Sequence, residues 1–153
     1  MTAPQMITVT STAFQPDQPI PARLGCDGDG VSPALAWEGV PDAAQALALV
    51  VDDPDAPRGT FTHWVVLDIE PTTRSVAENA VPAGGKQAKN SGGKVNYYPP
   101  CPPSGTHHYR FTVYALSKPT GLPDGTDLGR ALDAVDKAAI GRGRLTGTFS
   151  RGR

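Results

Sequence analysis

Two aspartates and a histidine form the first group of residues that could do chemistry. Asp53 and Asp55 lie in the turn Asp53-Pro54-Asp55-Ala56-Pro57, where the proline rings fix the backbone and so hold both carboxylates in place. His63 opens the apolar run that follows. Aspartate–proline pairs are also common in ordinary surface turns, so this segment alone leaves both interpretations open.

A histidine and a tyrosine form the second group, just after a stiff segment rich in proline and glycine. Cys101, Pro102 and Gly105 belong to that approach. The strand that begins there places His107 and Tyr109 on one face, because side chains two residues apart in a strand point the same way. Taken alone, the pattern is equally that of a hairpin with a tyrosine in the core.

Both groups together predict a small anion-binding pocket. A nearby carboxylate raises the pKa of a histidine and favours imidazolium, so we expect Asp53 and Asp55 to orient and charge the imidazoles of His63 and His107. Imidazolium, the Tyr109 hydroxyl and backbone N–H groups would then bind phosphate or carboxylate through charge-assisted hydrogen bonds.

A metal-assisted hydrolase is the alternative function. Asp53, Asp55, His63 and His107 are all potential metal ligands, and such a set can activate water. However, the sequence has no HxH or HExxH spacing and no GxSxG elbow for a serine nucleophile. We therefore predict a binding protein without catalytic residues, metal or cofactor.

The ends of the chain suggest a third function, in which a protein partner binds a basic tail. Segments 142–144 and 151–153 each contain two arginines. Binding through such a tail would weaken with added salt. The alternative is a solvated terminus with no partner.

Composition excludes several classes of protein. The 153 residues carry 14 basic and 15 acidic side chains, a net charge of -1, so no global field attracts nucleic acid or an anionic membrane. No apolar run is long enough to span a bilayer, and the first eleven residues lack the pattern of a secretory signal. Cys26 and Cys101 are too few for a disulfide framework. We expect a single cytoplasmic domain over 1–153 with both thiols reduced.

Hydrophobic periodicity predicts a mostly β protein. Central strands are expected at 46–52, 63–69 and 107–116, with shorter ones near 7–9, 34–37 and 143–149. The second of these should place His63, Val65, Leu67 and Ile69 on one face. A helix is predicted over 127–140, with Gly141 at its C-terminus. Segment 71–105 either holds small elements or covers a binding site. These features favour an antiparallel β-sandwich with one late α-helix and long loops.

Three segments together resemble the phosphatidylethanolamine-binding protein family, also called the Raf kinase inhibitor protein family. They are the Asp-Pro-Asp-Ala-Pro turn with His63-Trp64, the run Pro-Pro-Ser-Gly-Thr-His-His-Tyr at 102–109, and the segment Cys-Asp-Gly-Asp-Gly-Val-Ser-Pro-Ala-Leu-Ala-Trp at 26–37. The last is similar to the bacterial and archaeal branch. The resemblance runs from about residue 7 to 149 and implies a β-sandwich with an anion pocket at one end.

The resemblance also implies specific site residues and partners. Matched motif by motif, the ligand-binding residues are Asp53, Asp55, Pro57, His63, Cys101, Pro102, Gly105, His107 and Tyr109. The implied ligand is phosphate, a phosphoethanolamine-like head group or a small carboxylate. The bacterial branch implies a homodimer, and eukaryotic relatives imply a protein partner. The family has arginine where His108 stands here, so that arginine's salt bridge is expected to be lost, with Arg110 as its candidate substitute.

Overall fold

The protein folds into two antiparallel sheets and one helix, as a computed structural model describes it for residues 3–151. The strands are β1 (Thr8–Thr10), β2 (Leu35–Glu38), β3 (Ala46–Asp53), β4 (Phe61–Ile69), β5 (Ser75–Val76), β6 (Lys86–Gln87), β7 (Thr106–Leu116) and β8 (Ala139–Ser150), and the helix is α1 (Leu128–Ala138). The mostly β sandwich with one late helix is thus confirmed.

The main core fills the space between the two sheets. The small sheet has the order β1-β2-β5, and the large sheet has the order β6-β4-β3-β7-β8. Trp37 of the small sheet packs in one cluster with Val51, Phe111 and Leu145 of the large sheet, and all four are at most 2% exposed. Strand β3 reads as a continuous apolar run because it is central and covered on both faces.

Helix α1 covers the outer face of the large sheet. Ala131, Val135 and Ala138 pack against a second apolar cluster that includes Val65 and Leu67, which confirms the predicted apolar stripe. The predicted C-terminal role of Gly141 is wrong. The chain leaves the helix at Ala139 in an extended conformation and continues directly into β8, where Gly141 pairs with Ala115.

Strand β4 carries two irregularities that the alternation rule does not anticipate. Val51 pairs with Trp64, whereas its neighbour Asp52 pairs with Thr62, so His63 is the extra residue of a β-bulge. A second register shift near the end of β4 includes Asp68, whose φ is 56°. The predicted common face of His63, Val65, Leu67 and Ile69 is therefore wrong: Val65 and Leu67 face the helix, whereas Ile69 lies in the core between the sheets.

Segment 71–105 holds small elements, as one of its two interpretations predicted. It contains the two short strands β5 and β6, and its last part, from Tyr98 to Pro103, lines a cavity. Within residues 3–151, no helix has the length and apolar character needed to cross a membrane. Gly152 and Arg153 of the predicted basic tail lie outside the described residues.

Candidate functional site

A cavity of about 170 Å³ opens at one end of the large sheet. The end of β3 and the starts of β4 and β7 meet there, because neighbouring strands in the sheet are antiparallel. Its lining consists of Asp53, Ala56, Pro57, Phe61, His63, Tyr98, Cys101, Pro102, Pro103, His107 and Tyr109. Seven of the nine predicted site residues are among them, the exceptions being Asp55 and Gly105.

The buried pair of Asp53 and His107 forms one wall of the cavity. Asp53 is 3% exposed and His107 is 8% exposed. His107 Nδ1 lies 2.6 Å from Asp53 Oδ2, while Asp53 Oδ1 accepts the backbone N–H of Asp55 at 2.8 Å. The carboxylate is therefore held by the turn on one side and holds the imidazole on the other. This is the arrangement predicted for a histidine beside an aspartate.

His63 also lines the cavity and is held by a backbone group. Its Nδ1 donates to the carbonyl oxygen of Tyr98 at 2.6 Å, and its own carbonyl accepts the Tyr98 N–H at 3.0 Å. Its ring contacts those of Phe61 and Tyr109 edge to face. The bulge makes this possible, because regular alternation would turn His63 toward the helix with Val65.

The expected charging of His63 by aspartate is wrong. His63 is 4% exposed, and burial lowers its pKa, although the Tyr98 carbonyl and the charge of Asp53 act in the opposite direction. Transferring an imidazolium from water to this buried position costs more free energy than those two interactions contribute. His63 therefore enters the site as a neutral ring.

Tyr109 lies in the same cavity lining as the two histidines. Its ring centroid lies 5.2 Å from that of His63 and 6.5 Å from that of His107. Burial and then the negative charge of Asp53 raise the pKa of Tyr109. The hydroxyl thus keeps its proton and can act as a hydrogen-bond donor.

Asp55 points away from the cavity, contrary to its predicted place beside the pocket histidines. Its Oδ2 accepts the backbone N–H of His108 at 2.8 Å and lies 2.7 Å from His108 Nδ1. The hydrogen bond from the His108 side chain lowers the pKa of Asp55. His108 faces away from the pocket as expected, with 52% of its side chain exposed. Arg110 makes a two-point ion pair with Asp52.

Gly105 also stays outside the lining and acts through its backbone. Its φ is 71°, in the left-handed region that favours glycine. Nothing lies within 4 Å of the place where a Cβ would stand. The residue turns the chain into β7 and so positions His107 without contacting the cavity.

Cys26 and Cys101 form a disulfide, which corrects the expectation of two reduced thiols. Their Cα atoms lie 5.3 Å apart although 75 positions separate them in the chain. The backbone N–H of Cys26 donates to the carbonyl of Pro100 at 2.9 Å, which brings the two segments together. Because Cys101 lines the cavity, the bridge fastens one wall of the site to the 26–30 loop.

Four lining residues were not predicted: Ala56, Phe61, Tyr98 and Pro103. Ala56 lies in the Asp-Pro-Asp-Ala-Pro turn and Pro103 in the run at 102–109, so their predicted neighbours could have indicated them. Phe61 and Tyr98 belong to none of the motifs. The long segment before Cys101 has no clear periodicity, so the position of Tyr98 in the fold could not be predicted. These two rings make the cavity partly aromatic, and they are 4.8 Å and 5.6 Å from the His63 ring.

The charge of the lining depends on histidine. In the described part of the chain, no lysine or arginine lines the cavity, so only an imidazolium can supply a positive charge there. Among residues 3–151, no three His, Cys, Asp or Glu side chains are grouped to hold a metal ion. Of the four ligands in the hydrolase alternative, Asp53 and His107 bond to each other, while the side chains of His63 and Asp55 bond to residues outside this set. The arrangement gives that alternative no support.

The lowered pKa of His63 predicts how stability varies with pH. The unfolded chain binds a proton at His63 near pH 6.5, whereas the folded chain resists it. The free energy of unfolding should therefore be greatest above pH 6.5 and fall below it, with a slope of up to about 1.4 kcal/mol per pH unit from this group. Urea unfolding at pH 5–7 should show a shallower slope for His63→Phe. Equal slopes for both proteins would contradict the neutral state of His63.

Comparisons with known proteins identify relatives of this chain. A family model described as phosphatidylethanolamine-binding protein matches residues 10–150. The Mycobacterium tuberculosis protein named "Putative lipoprotein LppC" is 46% identical over 149 residues, which cover 96% of this chain and 74% of that protein. A UPF0098 protein of Methanothermobacter thermautotrophicus is 41% identical over 145 residues, covering 92% of this chain and 96% of its own.

A solved structure shows the same architecture. The protein CT736 of Chlamydia trachomatis, described as a phosphatidylethanolamine-binding protein homologue, superposes with a TM-score of 0.90. It is 35% identical, and the superposition covers 97% of this chain and 99% of that one. The similarity therefore extends over both sheets.

Proposed function

This chain belongs to the phosphatidylethanolamine-binding protein family, and we propose that its cavity binds small phosphate-like anions without transforming them. The observation that carries the proposal is the buried Asp53–His107 pair. A proton on both nitrogens of His107 makes an imidazolium whose charge Asp53 balances. Its second N–H is then free to donate to an oxyanion.

The size and the other donors of the site support this proposal. A volume of about 170 Å³ suits a head group better than a whole lipid or a peptide. The Tyr109 hydroxyl provides a second donor. The segment from Tyr98 to Pro103 adds one aromatic ring and two prolines to the lining, and such apolar surroundings strengthen charge-assisted hydrogen bonds.

Binding is favoured over catalysis by how the polar groups are arranged. The matched proteins reported above carry no name of a catalytic activity. Asp53 accepts a hydrogen bond from the backbone N–H of Asp55, and His63 donates one to the backbone carbonyl of Tyr98. These bonds hold both side chains in fixed orientations, as a rigid binding site requires. The protein partner, the homodimer and the cytoplasmic location stay predictions.

Calorimetric titration with inorganic phosphate and with phosphoethanolamine, in EDTA, tests the proposal. We expect saturable binding with one site per chain, and at least a tenfold loss in His107→Ala, because a hydrogen bond to a charged group contributes about 1.5–3 kcal/mol. The matched control is His108→Ala, a neighbouring histidine on the opposite face, which should bind as the wild type does. No binding in EDTA, or equal losses in both variants, would overturn the proposal.

A further inference from the structure

The two histidines of the cavity present different nitrogens to a ligand. In each ring, Nδ1 forms a hydrogen bond of 2.6 Å. The partner of His107 is the Asp53 carboxylate, and the partner of His63 is the Tyr98 carbonyl. A carbonyl oxygen and a carboxylate can only accept, so each Nδ1 carries a proton. The nitrogen left for a ligand is Nε2 on both rings. Among the described residues, the hydrogen bonds of both rings are made by Nδ1 and none by Nε2. No side-chain nitrogen or oxygen there is fully buried without a partner, so both Nε2 atoms are accessible to a ligand.

His63 offers a lone pair at its Nε2. Its Nδ1 proton is fixed by the carbonyl, and a second proton would put a positive charge among the rings of Phe61, Tyr98 and Tyr109. Burial opposes that charge. The neutral ring with the proton on Nδ1 has only one free function, which is to accept a hydrogen bond.

His107 and Tyr109 offer the complementary function. A positive charge on His107 is balanced by Asp53 in direct contact, so its Nε2 can carry a proton and donate. The Tyr109 hydroxyl keeps its proton. The cavity thus combines two donors with one acceptor.

We propose that the cavity selects oxyanions that still carry a hydroxyl, such as a phosphate monoester in its singly protonated form, over oxyanions that carry none. This inference rests on the proposed anion-binding function and adds its specificity. The P–OH group of the ligand donates to His63 Nε2, while its charged oxygens accept from His107 and Tyr109. A sulfate ester or a phosphodiester has no proton to donate. The lone pair of His63 Nε2 would then face the lone pair of a ligand oxygen, and the two acceptors would repel each other.

The expected discrimination follows from the cost of leaving a polar group unpaired. A site built to bond a ligand hydroxyl strongly rejects the analogue that lacks it, and an unsatisfied buried acceptor loses affinity by about tenfold or more. Total charge alone would not discriminate in this way. Two anions of equal size and charge should bind differently when only one carries a proton.

Methyl phosphate and methyl sulfate are such a pair and serve as the probes. At pH 5.5 most of the phosphate monoester is singly protonated, because its second pKa is about 6, so it has the same single negative charge as the sulfate ester, which carries no proton. Calorimetry on the full chain in EDTA should show methyl phosphate binding at least tenfold more tightly. In His63→Phe, which keeps an aromatic ring but removes the lone pair, this preference should fall to about threefold or less. His108→Phe makes the same replacement outside the cavity and should keep the wild-type preference.

The possible outcomes separate this inference from the function on which it rests. Equal affinities of the wild type for the two esters would overturn the hydroxyl selection and leave anion binding standing. No binding of either ester or of inorganic phosphate would overturn the proposed function itself. If His63→Phe does not fold, the wild-type affinities for the two esters decide the question alone.

Discussion

Phosphate affinity is expected to fall about tenfold to a hundredfold when Asp53 is replaced by asparagine. The change keeps the size of the side chain but removes the negative charge that balances an imidazolium at His107. An asparagine can still accept from Nδ1, yet a second proton on His107 then has no counter-charge within contact. Calorimetry with inorganic phosphate at pH 6.5 measures the loss.

The neighbouring Asp52 provides the matched control. Asp52→Asn makes the same change in charge one residue away, but Asp52 is paired with Arg110 and does not line the cavity. Its phosphate affinity should stay within about threefold of the wild type. If Asp53→Asn binds phosphate as well as the wild type or better, the carboxylate only repels the anion and the account of His107 is wrong.

Removing the disulfide should produce the largest loss of stability. The bridge joins positions 75 apart and therefore restricts a long loop of the unfolded chain. The double variant Cys26→Ala/Cys101→Ala should lower the free energy of unfolding by about 2–4 kcal/mol, which lowers Tm by about 2–4 °C for each kcal/mol in a chain of this size. Thermal unfolding followed by circular dichroism measures the change.

The reduced wild type is the control for this prediction. With dithiothreitol, the wild type should unfold like the double variant, and the double variant should not respond to the reductant. A wild-type Tm that dithiothreitol leaves unchanged would contradict a stabilising bridge. The bridge also bears on the predicted cytoplasmic location, because cytosolic reductants keep most thiols reduced. Blocking free thiols at the moment of cell lysis would show which state the protein has in the cell.

Periodicity predicted the elements well because packing on two faces leaves a direct trace in the sequence. The apolar run of β3 and the alternation of β7 both gave the correct strands, and the stripe of α1 gave the correct buried face. The end of the helix was misplaced because Gly141 belongs to β8. Its Cβ would stand 2.4 Å from the sulfur of Met6, so close packing explains this glycine better than a helix terminus does.

The site was predicted less completely because its geometry depends on departures from regular structure. Alternation turns His63 toward the helix, and only the bulge in β4 brings it to the cavity. The partner of His63 is a carbonyl at Tyr98, which has no sequence signature. The sequence does not distinguish the roles of Asp53 and Asp55. In the structure, Asp53 bonds to His107 and Asp55 bonds to His108. Cys26 and Cys101 meet only through the packing of two loops.

Nuclear magnetic resonance of the histidine rings during a titration with phosphate tests the central claim most directly. The chain has three histidines, two at the cavity and one outside it. In EDTA at pH 6.5, the ring signals of His63 and His107 should shift together and saturate, while those of His108 stay in place. Shifts confined to His108, or no shifts at any of the three rings, would contradict an anion site built on the Asp53–His107 pair.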